Sequence, residues 1–382
     1  MRYKLSDICE YAKGKIKVSV LDENTYISTE NMLPNKGGIT KAASLPTQEQ
    51  TQAFMKNDVL VSNIRPYFKK IWYATCDGGC SNDVLVFRAK DGVSSRFLHY
   101  VLADDTFFDY SMATSKGTKM PRGDKKAIME YEVPELSYED QCKIASILEA
   151  IDEKICLNTA INKNLEAQAQ AYFIDRFIAN ADPTWPQGTL SDLGTVVGGG
   201  TPSKKHPEYY SEHGIPWVTP KDLSVDKSKF ISHGENDISD IGFSNSSATK
   251  MPKGTVLFSS RAPIGYIAIA LNVVTTNQGF KSVIPNTNVG TAYIYFFLKQ
   301  ALLIIEGIAS GSTFKEISGS GMKSVPAVIP DNETLHFFSE FCKPLFEQQA
   351  MLEAESRKLS GIRNALLPKL MSGEIDVADI DI

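Results

Sequence analysis

Few side-chain sets in this chain have the types and spacing that catalysis needs. Asp124-Lys125-Lys126 and Asp152-Glu153-Lys154 imitate the end of a nuclease motif in which carboxylates hold a divalent cation. Neither has an upstream acid partner, and the second lies in a stretch of helical period. His206, His213 and His233 fall in one region, but a zinc site needs fixed spacing and more ligands. Cys76 and Cys80 stand close without a second pair, so the six cysteines read as reduced, structural thiols. The stretch GGGTPSKK (198–205) gathers glycines and lysines without the spacing of a phosphate-binding loop. The chain contains no Pro-Pro, so the Asn/Asp-Pro-Pro-aromatic motif of amino-methyltransferases is missing. No catalytic, metal or cofactor site emerges.

Binding chemistry is better represented. Base edges are read by forked donors and amides, whereas phosphates take Lys, Ser, Thr and backbone N–H groups. In the first half Asn63, Arg65, Tyr67, Lys69 and Lys70 cluster in one loop, followed by Lys116, Thr118, Lys119 and Arg122. In the second half the corresponding set is Thr201, Ser203, Lys204, Lys205, Lys221, Arg261, Asn277, Gln278, Thr313 and Lys315. These are the expected DNA-contacting residues. Gly198 to Gly200 suit a turn or a close backbone approach, and Pro66 and Pro263 close their loops. The net charge is −5, but it is unevenly placed. Residues 1–137 carry 19 basic against 17 acidic side chains and residues 183–330 carry 12 against 10. The acid excess lies in 138–182 and 331–382. Mildly basic segments beside acidic ones fit DNA on one surface and protein on another.

The elements that position these loops occur twice. KLSDI (4–8) recurs as TLSDL (189–193), and NDVLVSNIRP (57–66) as KGTVLFSSRAP (253–263). Ser81-Asn82-Asp83 answers Thr276-Asn277-Gln278, each just before an apolar strand. RFLHYVL (96–102) answers AYIYFFL (292–298), SKGTKM (115–120) answers SGSTFK (310–315), and VPEL (133–136) answers IPDN (329–332). The order is conserved through both halves, which reads as a tandem duplication. Each half mixes short β-rich runs with helical pieces and polar Gly/Pro/Ser loops. The loop-rich region 194–240 contains GGGTPSKK and IPWVTPKDL, while the first half instead has YISTENMLPNKGGIT.

Each half ends in a long helix. From Ser137 to Ile178 there is neither Pro nor Gly, and Ile144, Leu148, Ile151, Ile155, Asn158, Asn162, Leu165, Ala169 and Tyr172 alternate at four and three. Ser137 with Asp140 marks its N-cap. The second seam runs Leu335, Phe338, Cys342, Leu345, Gln349, Leu352, Ser356, Leu359, Arg363, Leu366 and Leu370, and is expected to kink or restart at Pro344 and to end at Gly373. The polar seam positions Asn158, Asn162, Gln349 and Arg363 fix register. Two such helices separated by a globular segment form one coiled coil. Glu149, Asp152, Glu153, Glu166, Glu347, Glu353 and Glu355 lie off the seam and face solvent or a partner.

At this point the layout resembles a known family. GGGTPSK (198–204), IPWVTPKDL (215–223), SSRAPIG (259–265), GSTFKEI (311–317) and LLPKLMSGEI (366–375) look like the specificity subunit of type I restriction–modification systems. The resemblance implies an α+β fold: two similar target-recognition domains separated by a pair of long antiparallel coiled-coil helices, a pseudo-two-fold tandem repeat. The expected domains are 1–136 and 183–330 for DNA recognition, 137–182 and 331–373 for the spacer helices, and 374–382 for a C-terminal tail. It further implies a non-enzymatic subunit that reads a split asymmetric target in double-stranded DNA. Two methyltransferase subunits would dock through the helices, with restriction subunits as further partners. No cofactor is expected on this chain; the partners would use S-adenosylmethionine, and ATP and magnesium for restriction. The competing readings are a coiled-coil scaffold that reads no DNA and a stand-alone DNA-modifying enzyme.

No apolar run reaches twenty residues, since TAYIYFFLKQALLIIEGIA (291–309) is broken by Lys299 and Glu306, so no membrane span is expected. MRYKLSDICEYAKGK lacks the apolar core of a signal peptide, which points to the cytoplasm. The missing motifs generate a direct prediction: the purified chain alone methylates, cleaves and hydrolyses nothing. Methyl transfer to DNA that persists after every partner subunit is removed overturns it.

Overall fold

The computed structural model describes residues 2–117, 119–311, 315–372 and 374–375. It divides into two compact units, 1–155 with 358–382, and 156–357. Both long helices, Tyr138–Ile174 and Asn332–Ser372, contribute to both units, because the division falls inside them. The first is capped as expected: Ser137 Oγ accepts from the Asp140 N–H (3.1 Å) and donates to its carboxylate (2.6 Å). It ends in a wider π-type turn, Asp175–Ala179. The second does not restart at Pro344 but runs through it as one element. Packing on both sides of the kink site outweighs the single lost backbone bond, since Cys342 and Phe346 are buried in a large core. Gly373, the expected terminator, lies outside the described residues.

In the first unit the central antiparallel sheet runs in the order Cys9–Tyr11, Val84–Ala89, Val59–Ser62, Ile71–Tyr73. Val59–Val61 and Val84–Phe87 in its middle strands read as unbroken apolar runs because both faces are covered. Val59, Val61, Leu85 and Phe87 pack on the helices Ser95–Ala103 and Asp105–Ala113 and on Ile144, Leu148, Leu367 and Leu370 of the long helices. The alternate residues Leu60, Val84 and Val86 meet Ile27, Phe54 and Cys80 of a second sheet. That sheet runs Lys15–Lys17, Gln50–Phe54, Gly78–Cys80, Tyr26–Ile27.

The second unit repeats the plan. Its central sheet runs Gly194–Gly198, Lys281–Pro285, Val256–Ser260, Ile264–Ala270, Phe230–Ile231. Val256, Phe258 and Val283 face the helix Thr291–Gln300 and Phe173, Phe338 and Phe346 of the long helices, while Leu257, Ala268 and Phe280 face the other way. The short helices made by the repeated LSD(I/L) sequence are closed identically: Asp7 accepts from Lys4 N–H (2.8 Å) and Asp192 from Thr189 N–H (2.7 Å). The apolar run at 291–308 is two helices bent by 64°, and among the described residues no single helix is long and apolar enough to cross a membrane.

Within each unit the long helices pack antiparallel, and polar groups set their register. In the second unit Asn158 is fully buried and donates to Glu355 (2.8 Å) and Ser356 (3.2 Å). Further along, Gln349 Nε2 donates to the Asn162 carbonyl (3.0 Å), and Tyr172 stacks on Phe338. Lys229 then locks the globular part to both helices. The residue is 7% exposed, and its ammonium donates to Glu166 (2.7 Å) and Gln349 (2.9 Å) and lies 3.4 Å from the centre of the Phe346 ring. Its own N–H and that of Phe230 donate to Glu353 (2.9 and 3.1 Å). Glu166 also accepts from Lys299 (2.6 Å) and Tyr295 (3.0 Å). In the first unit Asp152 accepts from Arg363 (2.6 Å) and Tyr100 (2.9 Å), and Glu149 pairs with Arg96 (2.7 Å). Thus Glu149, Asp152, Glu166 and Glu353 are half-buried acceptors engaged by donors on neighbouring elements, whereas Glu355 is exposed and accepts from the buried Asn158.

Burial pushes the Lys229 ammonium down to about 8, against the pull of Glu166. Burial also pushes Glu166 up, but Lys229 and Lys299 together outweigh it and hold its carboxyl below the usual value of 4.5. The stabilisation from Glu166 is therefore complete above its unfolded pKa and is lost as pH falls through the lower folded one. Glu166→Gln leaves Lys229 buried without its counter-charge and should cost about 3–5 kcal/mol at neutral pH. Urea unfolding checks this; the gap between variant and wild type should narrow once pH drops below about 4.

Candidate nucleic-acid interface

Apolar packing covers both faces of the middle strands of the central sheets, so most exposed polar side chains stand at the strand ends. There the two units use the same backbone stitching. In the first unit Asn63 N–H donates to the Asp83 carbonyl (2.8 Å), Gly123 N–H to the Asn63 carbonyl (3.2 Å) and Arg65 N–H to that of Pro121 (2.9 Å). In the second, Ser260 N–H donates to Gly279 (2.7 Å) and Ile317 N–H to Ser260 (3.1 Å). Three loops distant in sequence are thereby held as one surface in each unit.

In the second unit Gly200 N–H donates to the Thr276 carbonyl (2.8 Å), which brings the glycine-rich loop onto the same edge. A Cβ on Gly199 would stand 2.1 Å from the Asn277 carbonyl, and one on Gly200 would stand 2.4 Å from the Ala248 nitrogen. Close approach, not a turn, is what these two positions require. Thr201 hydrogen-bonds Gln278, whose carbonyl accepts from Lys281 (3.3 Å). Glu316 then joins Lys281 (3.7 Å) to Arg261 (3.2 Å). Thr201, Gln278, Lys281, Glu316 and Arg261 form a continuous polar strip, with Asn277 beside it. Ser203, Lys204 and Lys205 are exposed on the glycine-rich loop, and Lys315 reaches the Glu306 carbonyl (3.5 Å). Lys221 is turned to Glu235 (2.6 Å).

In the first unit Arg122 pairs with Asp83 (3.1 Å) and Lys116 with Asp124 (2.5 Å). The Lys116 ammonium and the N–H groups of the helix that Asp124 caps hold its carboxyl down at about 2. Asn63 is buried at the junction, and Lys119 and Tyr67 are exposed. Lys69 is engaged by Asp105 (2.9 Å), and Lys70 donates to the Thr29 carbonyl (2.6 Å), where burial lowers its pKa. Thr118 and Thr313 lie outside the described residues.

A family model described as "Type I restriction modification DNA specificity domain" matches residues 1–167 and again 183–358. The chain belongs to this family. It is 38% identical over 190 residues to the type I restriction enzyme MjaIX specificity subunit of Methanocaldococcus jannaschii, covering 47% of this chain and 44% of that protein. To the HindI specificity subunit of Haemophilus influenzae it is 24% identical over 461 residues, covering 98% and 99%. The crystal structure of the S subunit from M. genitalium shares the fold, with a TM-score of 0.62 at 16% identity over 97% of this chain and 96% of that one.

Two copies of the specificity domain account for the internal repeat, and the structure corrects how the copies align. Ser81 N–H donates to Ile27 (2.9 Å) as Asn277 N–H donates to Val218 (3.1 Å), so Ser81 answers Asn277, one position from the alignment that sequence favours. Arg65 and Ala262 share the left-handed backbone before proline (φ 49° and 54°), so Arg65 is not the counterpart of Arg261. One correspondence was hidden. Tyr26-Ile27 and Trp217-Val218 pair in parallel with the equivalent strands Gly78–Cys80 and Thr275–Thr276. Asn31 then accepts from Ser28 N–H (2.6 Å) as Asp222 accepts from Thr219 N–H (2.7 Å). YISTENM (26–32) therefore fills the place of WVTPKDL (217–223). The shared signal was Ser/Thr followed three residues later by Asn/Asp.

The other sequence candidates have structural tasks. Asp124 caps Lys125–Ile128, and His206 pairs with Glu208 (3.0 Å). Burial pushes the Cys9, Cys80 and Cys342 thiols up to about 12. Among the described residues no cluster of three or more His, Cys, Asp or Glu is placed to hold a metal.

Proposed function

We propose that this specificity subunit reads a split, asymmetric target in double-stranded DNA. Residues 1–136 and 183–330 are its two reading domains, 137–182 and 331–373 its helices, and 374–382 its tail. The observation that supports this most is the pairing of one frame with unlike loops. The same backbone stitching, with Asn63 buried at its junction, presents Lys119 and Arg122 in one unit and Thr201, Gln278 and Arg261 in the other. Two such surfaces read two unlike short sequences.

The subunit works in the cytoplasm with two methyltransferase subunits, which bring S-adenosylmethionine. Restriction subunits bring ATP and magnesium chemistry. Leu157, Ile161 and Met351 are large apolar side chains exposed on the long helices, and they supply docking area for protein rather than DNA. A pure scaffold has no use for the polar strip around Gln278.

The test is binding by the assembled complex to duplexes carrying the target that methylome mapping defines. Gln278→Ala or Arg261→Ala should weaken recognition of one half-site by about 1–3 kcal/mol and leave the other half unchanged. Lys204→Ala should weaken binding to all sequences and reduce the salt dependence by about one unit. Equal affinity of Arg261→Ala and Gln278→Ala for every half-site variant removes the polar strip from the reading surface.

A further inference from the structure

The first unit holds a turn that the second lacks. Four non-glycine residues with left-handed backbone meet there: Asn35 and Lys36 (φ 54° and 60°) on one loop, Arg65 and Lys69 (both 49°) on the next. Such conformations are uncommon for residues with a Cβ and persist where the surroundings over-determine them. Here the bracing is explicit. Asn35 N–H donates to the Phe68 carbonyl and Lys36 N–H to that of Lys69, both at 2.8 Å. The Asp105 carboxylate bridges Lys36 (2.8 Å) and Lys69 (2.9 Å). Arg65 is tied to Pro121 on the third loop, and Lys70 to Thr29. In the second unit the chain leaves Ala262 and Pro263 directly into the strand Ile264–Ala270.

What this frame displays is aromatic. Pro66–Phe68 makes one tight 3-10 turn, and it holds Tyr67 49% and Phe68 37% exposed, with ring centres 4.7 Å apart. Holding two rings in water contributes little to the fold. The turn emerges from the strand end beside Asn63 and is tied to Pro121, next to the exposed Arg122, while the Lys70 ammonium lies 5.7 Å from the Phe68 ring centre. A fixed aromatic beside cations is suited to base faces, which stack on rings while neighbouring phosphates meet the charges. The bracing leaves little freedom to lose on binding.

We propose that Tyr67, backed by Phe68, is a pre-set aromatic wedge that packs against a base step in the half-site read by the first unit. This rests on the DNA-reading function above and adds a contact that carries no charge. The experiment uses the full chain assembled with its methyltransferase subunits. The probe is a duplex of the mapped target with 2-aminopurine placed, one at a time, at positions that are not methylated. Wild-type complex should raise fluorescence at one step in one half-site. Tyr67→Ala should remove that signal and lower affinity about ten- to a hundredfold with an unchanged salt slope, whereas Tyr67→Trp keeps both. An unchanged urea midpoint for Tyr67→Ala establishes that its fold is intact; if it shifts, Tyr67→Ser replaces it. Specific wild-type binding with no change in fluorescence or affinity for the variant overturns the wedge alone. Absence of sequence-specific binding by wild type overturns DNA reading and the wedge with it. Weaker assembly with methyltransferase at unchanged DNA affinity makes the turn a protein contact and overturns the proposal.

Discussion

The constraint on which everything else depends is that the central sheet of each unit is buried on both faces. Leu60 and Val61, or Leu257 and Phe258, point to opposite sides and both find apolar partners. A strand in that position cannot carry a polar side chain into solvent along its length. Away from the edge strands, which carry Glu10 and Thr195 in the open, exposed polar residues gather at the strand ends, where the chain must turn. The sandwiching of each sheet thus concentrates the chain's polar chemistry in three stitched loops per unit.

That arrangement separates what must stay constant from what can vary. The stitching bonds run through backbone atoms, so the same bond can be made by different residues where space allows, although Gly123, Gly199 and Gly200 leave no room for a Cβ. Asn63 and Ser260 occupy the same node, as do Gly123 and Ile317, with little in common as residues. A frame held in this way lets one unit present Gln278 and Arg261 and the other a braced aromatic turn. Tandem copies of one specificity domain can then read unlike sequences without two different folds.

The helices obey the opposite logic, because their polar residues are buried and specific. Asn158, Gln349 and Lys229 each require a partner at one height along the seam. A shift by one turn would strand a buried amide or ammonium without a hydrogen bond, at a penalty larger than the apolar packing would vary. The apolar heptads make the helices associate; the polar groups choose the alignment.

The sequence was sufficient for the periodic and the repeated. Heptad spacing marked both long helices, apolar runs marked the central strands, and the recurrence of LSDI and LSDL marked the duplication, since period and order are properties of a linear chain. Family motifs in the second half were legible for the same reason. Other features depend on distance in space and were not legible. Pro344 looked like a break because the local rule counts one lost bond, whereas the core around Cys342 and Phe346 holds the helix together. Glu166 and Asp152 looked like surface acids until Lys229 and Arg363 were brought to them from 63 and 211 residues away. The kinship of YISTENM with WVTPKDL was equally hidden, because only their parallel strand pairing and capping bonds are alike. Tertiary structure decided which charged side chains are exposed and which are already bound, because that choice is made by neighbours the chain places together only when folded.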